Sequence, residues 1–110
     1  MLLLGKDSDG ITQVSVEALM KLYVDGEKLK EIRIYGTSPI GTICYFEFEG
    51  DKVYKASGFS IGYGGEGPHG LWKMIRTFYP DKISADFWET LILRLEGDWQ
   101  WTPDKGFDAI

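Results

Sequence analysis

A chain of 110 residues with 44% hydrophobic and 15% aromatic side chains is long enough to bury one core without disulfide or metal support, so a single domain over residues 1–110 is expected. A formal charge of −5 excludes nonspecific attachment to a DNA or RNA backbone, which needs clustered Lys and Arg, but leaves room for a nucleic-acid mimic or a small anion held locally. The single cysteine, Cys44, excludes an internal disulfide and agrees with a reducing compartment.

In chain order, residues 2–4 read as a short strand and residues 6–10 (KDSDG) as a turn. The apolar start breaks at Gly5-Lys6-Asp7, too short for a signal-peptide core, and no later stretch could span a bilayer, so a cytoplasmic protein with no membrane partner is expected. Asp7-x-Asp9-Gly10 has the look of a calcium loop, but aligning the glycine puts Gly5 and Val16 at ligand positions, which excludes one. From Ile11 a short helix capped by Ser15 would present Val16, Leu19, Met20 and Tyr23 on one face, with a strand as the alternative. Residues 28–35 alternate as a strand after the Asp25-Gly26 turn, and Pro39 fixes a loop at residues 37–41. TICYFEFE, Gly50-Asp51 and KVYKAS then read as a hairpin around a two-residue turn. Here Glu47 and Glu49 share the face opposite Phe46 and Phe48, balanced by Lys52 and Lys55 across the hairpin. Tyr45 and Phe46 beside Cys44 make a buried structural thiol the expectation.

Residues 59–71 (FSIGYGGEGPHGL) hold five of the fourteen glycines, one of four prolines and the only histidine. They join a strand-rich half to a helical half. Gly67 is the expected N-cap of a helix over residues 68–79, with Pro68 at its first position and Leu71, Met74, Ile75 and Phe78 as its apolar face. A glycine-lined approach to a helix N-terminus offers free amides and the positive dipole end to phosphates or carboxylates. The same glycines also suit a tight turn and close helix-to-sheet packing, and Glu66 could satisfy the amides itself. The Lys-Ser/Thr ending of a P-loop is missing, because His69, Gly70 and Leu71 follow Pro68, and this excludes a nucleoside triphosphatase of that type. Beyond Tyr79-Pro80, Ser84 would cap a second helix over residues 85–96 with Phe87, Trp88, Leu91, Ile92 and Leu95 on a broad apolar face. Gly97 ends it, residues 98–102 (DWQWT) suit an edge strand, and a loose tail follows the turn at residues 103–106. The expected fold is α+β: an antiparallel sheet of about three to five strands with two main helices on one face.

Over residues 53–102 the chain resembles a small domain of uncharacterised function in bacteria, archaea and their viruses, whose signature runs roughly F-x-W-G-Y-G-G-S-G-P-A-Q-L. GYGG-x-GP, Leu71, Phe87 and Trp99-x-x-Thr102 carry the resemblance. Ile61, Glu66 and His69-Gly70 depart from it. The family supplies no activity. Its similarity to short accessory proteins of viral and prophage genomes implies a counter-defence role, in which a host signalling nucleotide is sequestered and not cleaved.

Three functions follow from these residues. In the first, a phosphate-bearing ligand such as a cyclic nucleotide or an ADP-ribose derivative sits on the amides of residues 65–70 (Gly65, Glu66, Gly67, His69, Gly70), with Gly64 also in the site. His69 would be a switchable donor, Lys73 and Arg76 lie nearby, and Tyr63 or Trp72 could stack a base. In the second, an acidic module blocks a nucleic-acid-binding host protein by presenting Asp86, Glu89, Glu96 and Asp98 where phosphates would sit. An enzyme ranks third: one His, one Cys and no metal spacing assemble no catalytic pair, apart from a conceivable His69–Glu66. No cofactor and no metal are expected. The abundance of aromatics is compatible with a homo-oligomer.

Overall fold

A computed structural model describes residues 2–5, 10–36 and 41–110. The expected turn at residues 6–10 and the Pro39 loop thus fall, apart from Gly10 and Gly41, outside the described residues.

Alternating apolar side chains build the centre of the sheet. Strand β2 (Leu29–Tyr35) buries Leu29, Ile32 and Ile34, and β3 (Ile43–Phe48) buries Cys44, Phe46 and Phe48. These two pair antiparallel with Ile32 opposite Phe46 and Ile34 opposite Cys44. Strand β4 (Lys52–Ala56) follows on one side, and the short β1 (Leu2–Leu3) joins it in parallel. On the other side stand β5 (Asp98–Thr102) and β6 (Gly106–Ala109), giving the order β1-β4-β3-β2-β5-β6. The fold is therefore α+β as expected, with six strands among the described residues where three to five were expected. The C-terminal part of the sheet departs from expectation in two ways, the second of which adds the sixth strand. The segment 98–102 lies between β2 and β6 and is not an edge, and the tail is a strand: Trp101 pairs with Phe107 and Gln100 with Asp108. Gly106 at φ +71 permits the reversal into β6, where a side chain would be strained.

The hairpin also departs from expectation. Gly50 and Asp51 both take left-handed φ, 88° and 59°, yet Phe48 pairs with Lys52, so residues 49–51 stand outside the ladder in place of two. That one-residue difference changes partners. Lys52 lies opposite Phe48 and its Nζ reaches Glu27 at 2.9 Å, while Glu49 sits in the turn and Lys55 lies opposite Tyr45. The expected Glu47/Glu49 balance with Lys52 is thereby replaced.

Helix α1 (Thr12–Val24) starts three residues before the expected Ser15 cap. The Thr12 hydroxyl donates to the Gly58 carbonyl, and this contact across 46 residues sets the start of the helix. Ser15 is interior and fully buried; Val16 and Leu19 face the core, while Tyr23 is 46% exposed with its ring edge-on to Phe78. Helix α2 (Glu66–Phe78) begins two residues early, with Gly65 and not Gly67 as its N-cap. Pro68 then sits third, where its missing N–H is one that no helical carbonyl would have accepted. The helix stops before Tyr79-Pro80 as the sequence requires, and Pro80–Lys82 forms one 3₁₀ turn. Leu71, Met74 and Ile75 are wholly buried. Side chains of this size contribute about 1.5–3 kcal/mol each on burial.

The second expected helix is shorter and differently wound. Helix α3 (Phe87–Glu89) passes directly into a π-helical turn, Thr90–Arg94. Ser84 does not cap it: its carbonyl accepts the Phe87 N–H at 3.1 Å and its hydroxyl donates to Asp86 Oδ1 at 2.7 Å. All three helices pack on one face of the sheet around a single core. Among the described residues no helix is long and apolar enough to cross a membrane. Cys44 lies in the middle of this core, and burial pushes its thiol far above the usual range.

Candidate functional site

Gly65, the N-cap, is extended at φ −157°, and the Tyr63 ring lies directly against it. A Cβ on Gly65 would come within 2.5 Å of Tyr63 Cε2. Tyr63 itself is 55% exposed, and its hydroxyl accepts from Ser60 Oγ at 2.9 Å. Gly67 and Gly70 are buried. A Cβ on Gly67 would lie 2.1 Å from Ser60 Oγ, and one on Gly70 would lie 2.6 Å from Thr12 Cγ2 and 2.8 Å from Phe59 Cε1. These two glycines let α2 press against α1 and the preceding loop. Glu66 occupies the first position of α2, exposed, beside the positive end of the helix dipole. The His69 N–H already donates to the Gly65 carbonyl at 3.0 Å. The free amides at the start of α2 are therefore fewer than the sequence suggested, and Gly64 is exposed beside Ile92.

The outer stripe of α2 differs in character. His69, Trp72 and Arg76 follow one another at three- and four-residue spacing and so share one face. The Arg76 guanidinium sits 4.6 Å above the Trp72 ring, a cation–π contact. The His69 ring lies 5.5 Å from Trp72, tilted by 38°. Trp88, from α3, completes the group edge-on, 5.9 Å from His69 and 6.1 Å from Trp72. Both tryptophans are half-buried and His69 and Arg76 are exposed. Lys73 is exposed on the adjoining position of α2.

The Leu95 N–H reaches back five residues to the Thr90 carbonyl, and the Leu91 carbonyl accepts instead from the Gly62 N–H at 3.1 Å. The loop before α2 is thus tied to the helix that carries Trp88. Gly62 has φ +86°, a conformation a side chain would resist.

Of the ten residues the sequence pointed to, His69, Trp72 and Arg76 come into mutual contact. Tyr63 and Gly65 form a separate contact, and Gly67 and Gly70 are taken up in packing. Trp88 was assigned only to an apolar helix face. Its signal was the breadth of that face: Phe87, Leu91 and Leu95 are buried, leaving Trp88 and Ile92 half-buried at its border. Among the carboxylates proposed as phosphate mimics, Asp86 is held below the usual carboxylate range by the Ser84 hydroxyl, its own backbone amide and Arg94. Four cavities elsewhere in the fold, of about 420, 210, 250 and 200 Å³, are lined by no residue from 59–71. Among the described residues, no group of three His, Cys, Asp or Glu side chains is arranged to hold a metal. No protein-family model, curated protein or solved structure matches this chain.

Proposed function

We propose that this protein is a non-enzymatic binding module that docks a partner protein through the His69, Trp72, Arg76 and Trp88 surface. One observation carries this reading: two tryptophans, a histidine and an arginine contact one another at the half-exposed border of the core. Trp and Arg supply much of the energy at protein interfaces, and side chains already held in place lose little entropy on docking. The cations on the stripe, Lys73 and Arg76, stand against a chain of net charge −5, so the complementary partner surface is apolar at its centre and acidic at its rim.

A second reading keeps the phosphate-bearing ligand, a signalling nucleotide sequestered by a viral or prophage protein. It is favoured by one feature, the N-terminus of α2, which no side chain caps. Glu66 at that position opposes it, and a ligand there would lie on an open surface where little of it could be buried.

The test is affinity capture from host extract with the wild type, Trp88→Ala and Arg76→Glu, quantified by mass spectrometry. A protein held by the wild type and reduced at least about tenfold by both substitutions supports docking, since that ratio corresponds to about 1.4 kcal/mol at the contact. A capture profile indifferent to both substitutions refutes it. Melting against cyclic nucleotides and ADP-ribose isomers tests the second reading: a ligand at about 100 times its dissociation constant adds about 2.7 kcal/mol, and no shift with any of them ends it.

A further inference from the structure

The far end of the sheet from the glycine segment holds two adjoining cavities that share a wall made by Leu29, Glu49 and Tyr79. The smaller, about 250 Å³, is formed around three rings, Tyr23, Phe78 and Tyr79, with Glu27 and Glu49 among its carboxylates. The larger, about 420 Å³, has Glu31, Glu49, Asp104 and Asp108 around it. Tyr23 and Phe78 stand edge-on at 5.4 Å, and Tyr79 is braced on Trp101 at 5.6 Å with its hydroxyl bonded to the Leu29 carbonyl. The rings are therefore fixed in place before any ligand arrives.

The charges decide what such a space would take. Five carboxylates line the pair of cavities against three lysines, Lys28, Lys30 and Lys105, all exposed. Glu27 is engaged by Lys52 and Glu31 by Gln100 and Arg33. Glu49, Asp104 and Asp108 form no ion pair among the described residues. The shared wall itself carries one charged residue, Glu49, and no lysine; burial, then Glu49, Asp104 and Asp81, push the Tyr79 phenol above its usual range. Aromatic walls beside unpaired carboxylates recognise organic cations, with methylene stems against rings and ammonium groups against carboxylates.

We propose that these joined cavities bind a linear organic polycation, an aliphatic polyamine, with its stem along Tyr23, Phe78 and Tyr79 and its ammonium groups at Glu49 and Asp104. The site is independent of the partner surface on α2 and α3. Two cavities joined at one wall suit an extended cation better than a compact one, which could meet the carboxylates but not the rings.

Isothermal titration of the full chain with spermidine at low ionic strength tests this. Saturable one-to-one binding is expected. It should weaken about fivefold or more in Glu49→Gln and in Asp104→Asn, each losing one close charge pair. Tyr23→Leu should weaken it as well, whereas Glu89→Gln, on α3, should not. Magnesium chloride at equal charge should compete poorly. Absent or non-saturable binding, equal effects of Glu49→Gln and Glu89→Gln, or full competition by magnesium would each overturn the proposal. Glu49 and Asp104 are exposed and unpaired, so their amide variants should fold, and circular dichroism of each variant verifies that they do.

Discussion

Gly58 is a position at which one methyl group should do severe damage. An alanine Cβ there would lie 2.5 Å from the Ile11 carbonyl oxygen, 2.6 Å from its carbon and 2.8 Å from Thr12 Cα. All three are backbone atoms at the start of α1, so no rotamer change relieves the contact. Overpacking of this kind costs about 1–3 kcal/mol. Displacing the strand end also disturbs the Thr12 hydroxyl bond to the Gly58 carbonyl, worth about 1 kcal/mol. The sum is about 2–4 kcal/mol, and an unfolding entropy of about 2.1 cal/mol/K per residue converts it to a fall in Tm of about 9–17 °C for this chain. Gly70→Ala meets side chains instead, and a helical alanine regains about 1 kcal/mol, so its net loss should be about 0–2 kcal/mol. Gly64→Ala, whose Cβ would find only Ile92 Cδ1 at 4.0 Å, should stay within about 0.5 kcal/mol of wild type. Urea and thermal melts followed by circular dichroism measure all three. A Gly58→Ala protein melting within about 2 °C of wild type, or no steeper loss than in Gly64→Ala, would refute the claim that these glycines exist for close packing.

Two further expectations concern buried groups. The Ser15 hydroxyl finds no partner among the described residues although the residue is wholly buried; Ser15→Ala should raise stability by about 1–2 kcal/mol in urea melts, since an unsatisfied hydroxyl costs about that much and alanine is the better helix former. A loss of stability would mean that the hydroxyl is bonded. Burial raises the Cys44 thiol, so the folded protein keeps its proton while the unfolded thiol ionises near about 8.5. The stability this supplies is complete below that pH and is lost as pH climbs above it, at about 1.4 kcal/mol per unit. Urea melts from pH 8 to 10 should show that slope in the wild type and lack its Cys44 share in Cys44→Ala; equal slopes would sink the argument.

What the sequence disclosed depended on whether the cause was local. The alternation in residues 32–35 and 43–48 marked β2 and β3, because burial on one face of a pleated strand is written into successive residues. The proline after Tyr79 fixed the end of α2 in the same local way. The start of α1 was missed because its cause, the Gly58 carbonyl, lies 46 residues away. Ser15 looked like a cap, since serine commonly is one, and tertiary contact overrode that preference. Strand β6 went unseen for a similar reason. Residues 106–109 carry only Phe107 and Ala109 on their inner face, and their order comes from pairing with Trp101 and Trp99.

The glycine segment was recognisable as an unusual stretch but not for the contacts it makes. Gly67 and Gly70 lie one turn apart on the inner side of α2, where Ser60, Thr12 and Phe59 press against them. Their lack of side chains fixes the rotational setting of the helix, and that setting turns His69, Trp72 and Arg76 outward. Replacing either glycine therefore shifts the outer stripe as well as the packing, and a loss of binding in such a variant would not separate a ligand contact from a misplaced helix. Substitutions on the stripe do separate them. Arg76 and His69 are exposed, so their removal leaves the core intact, and a change in binding at unchanged melting temperature can come only from the surface itself.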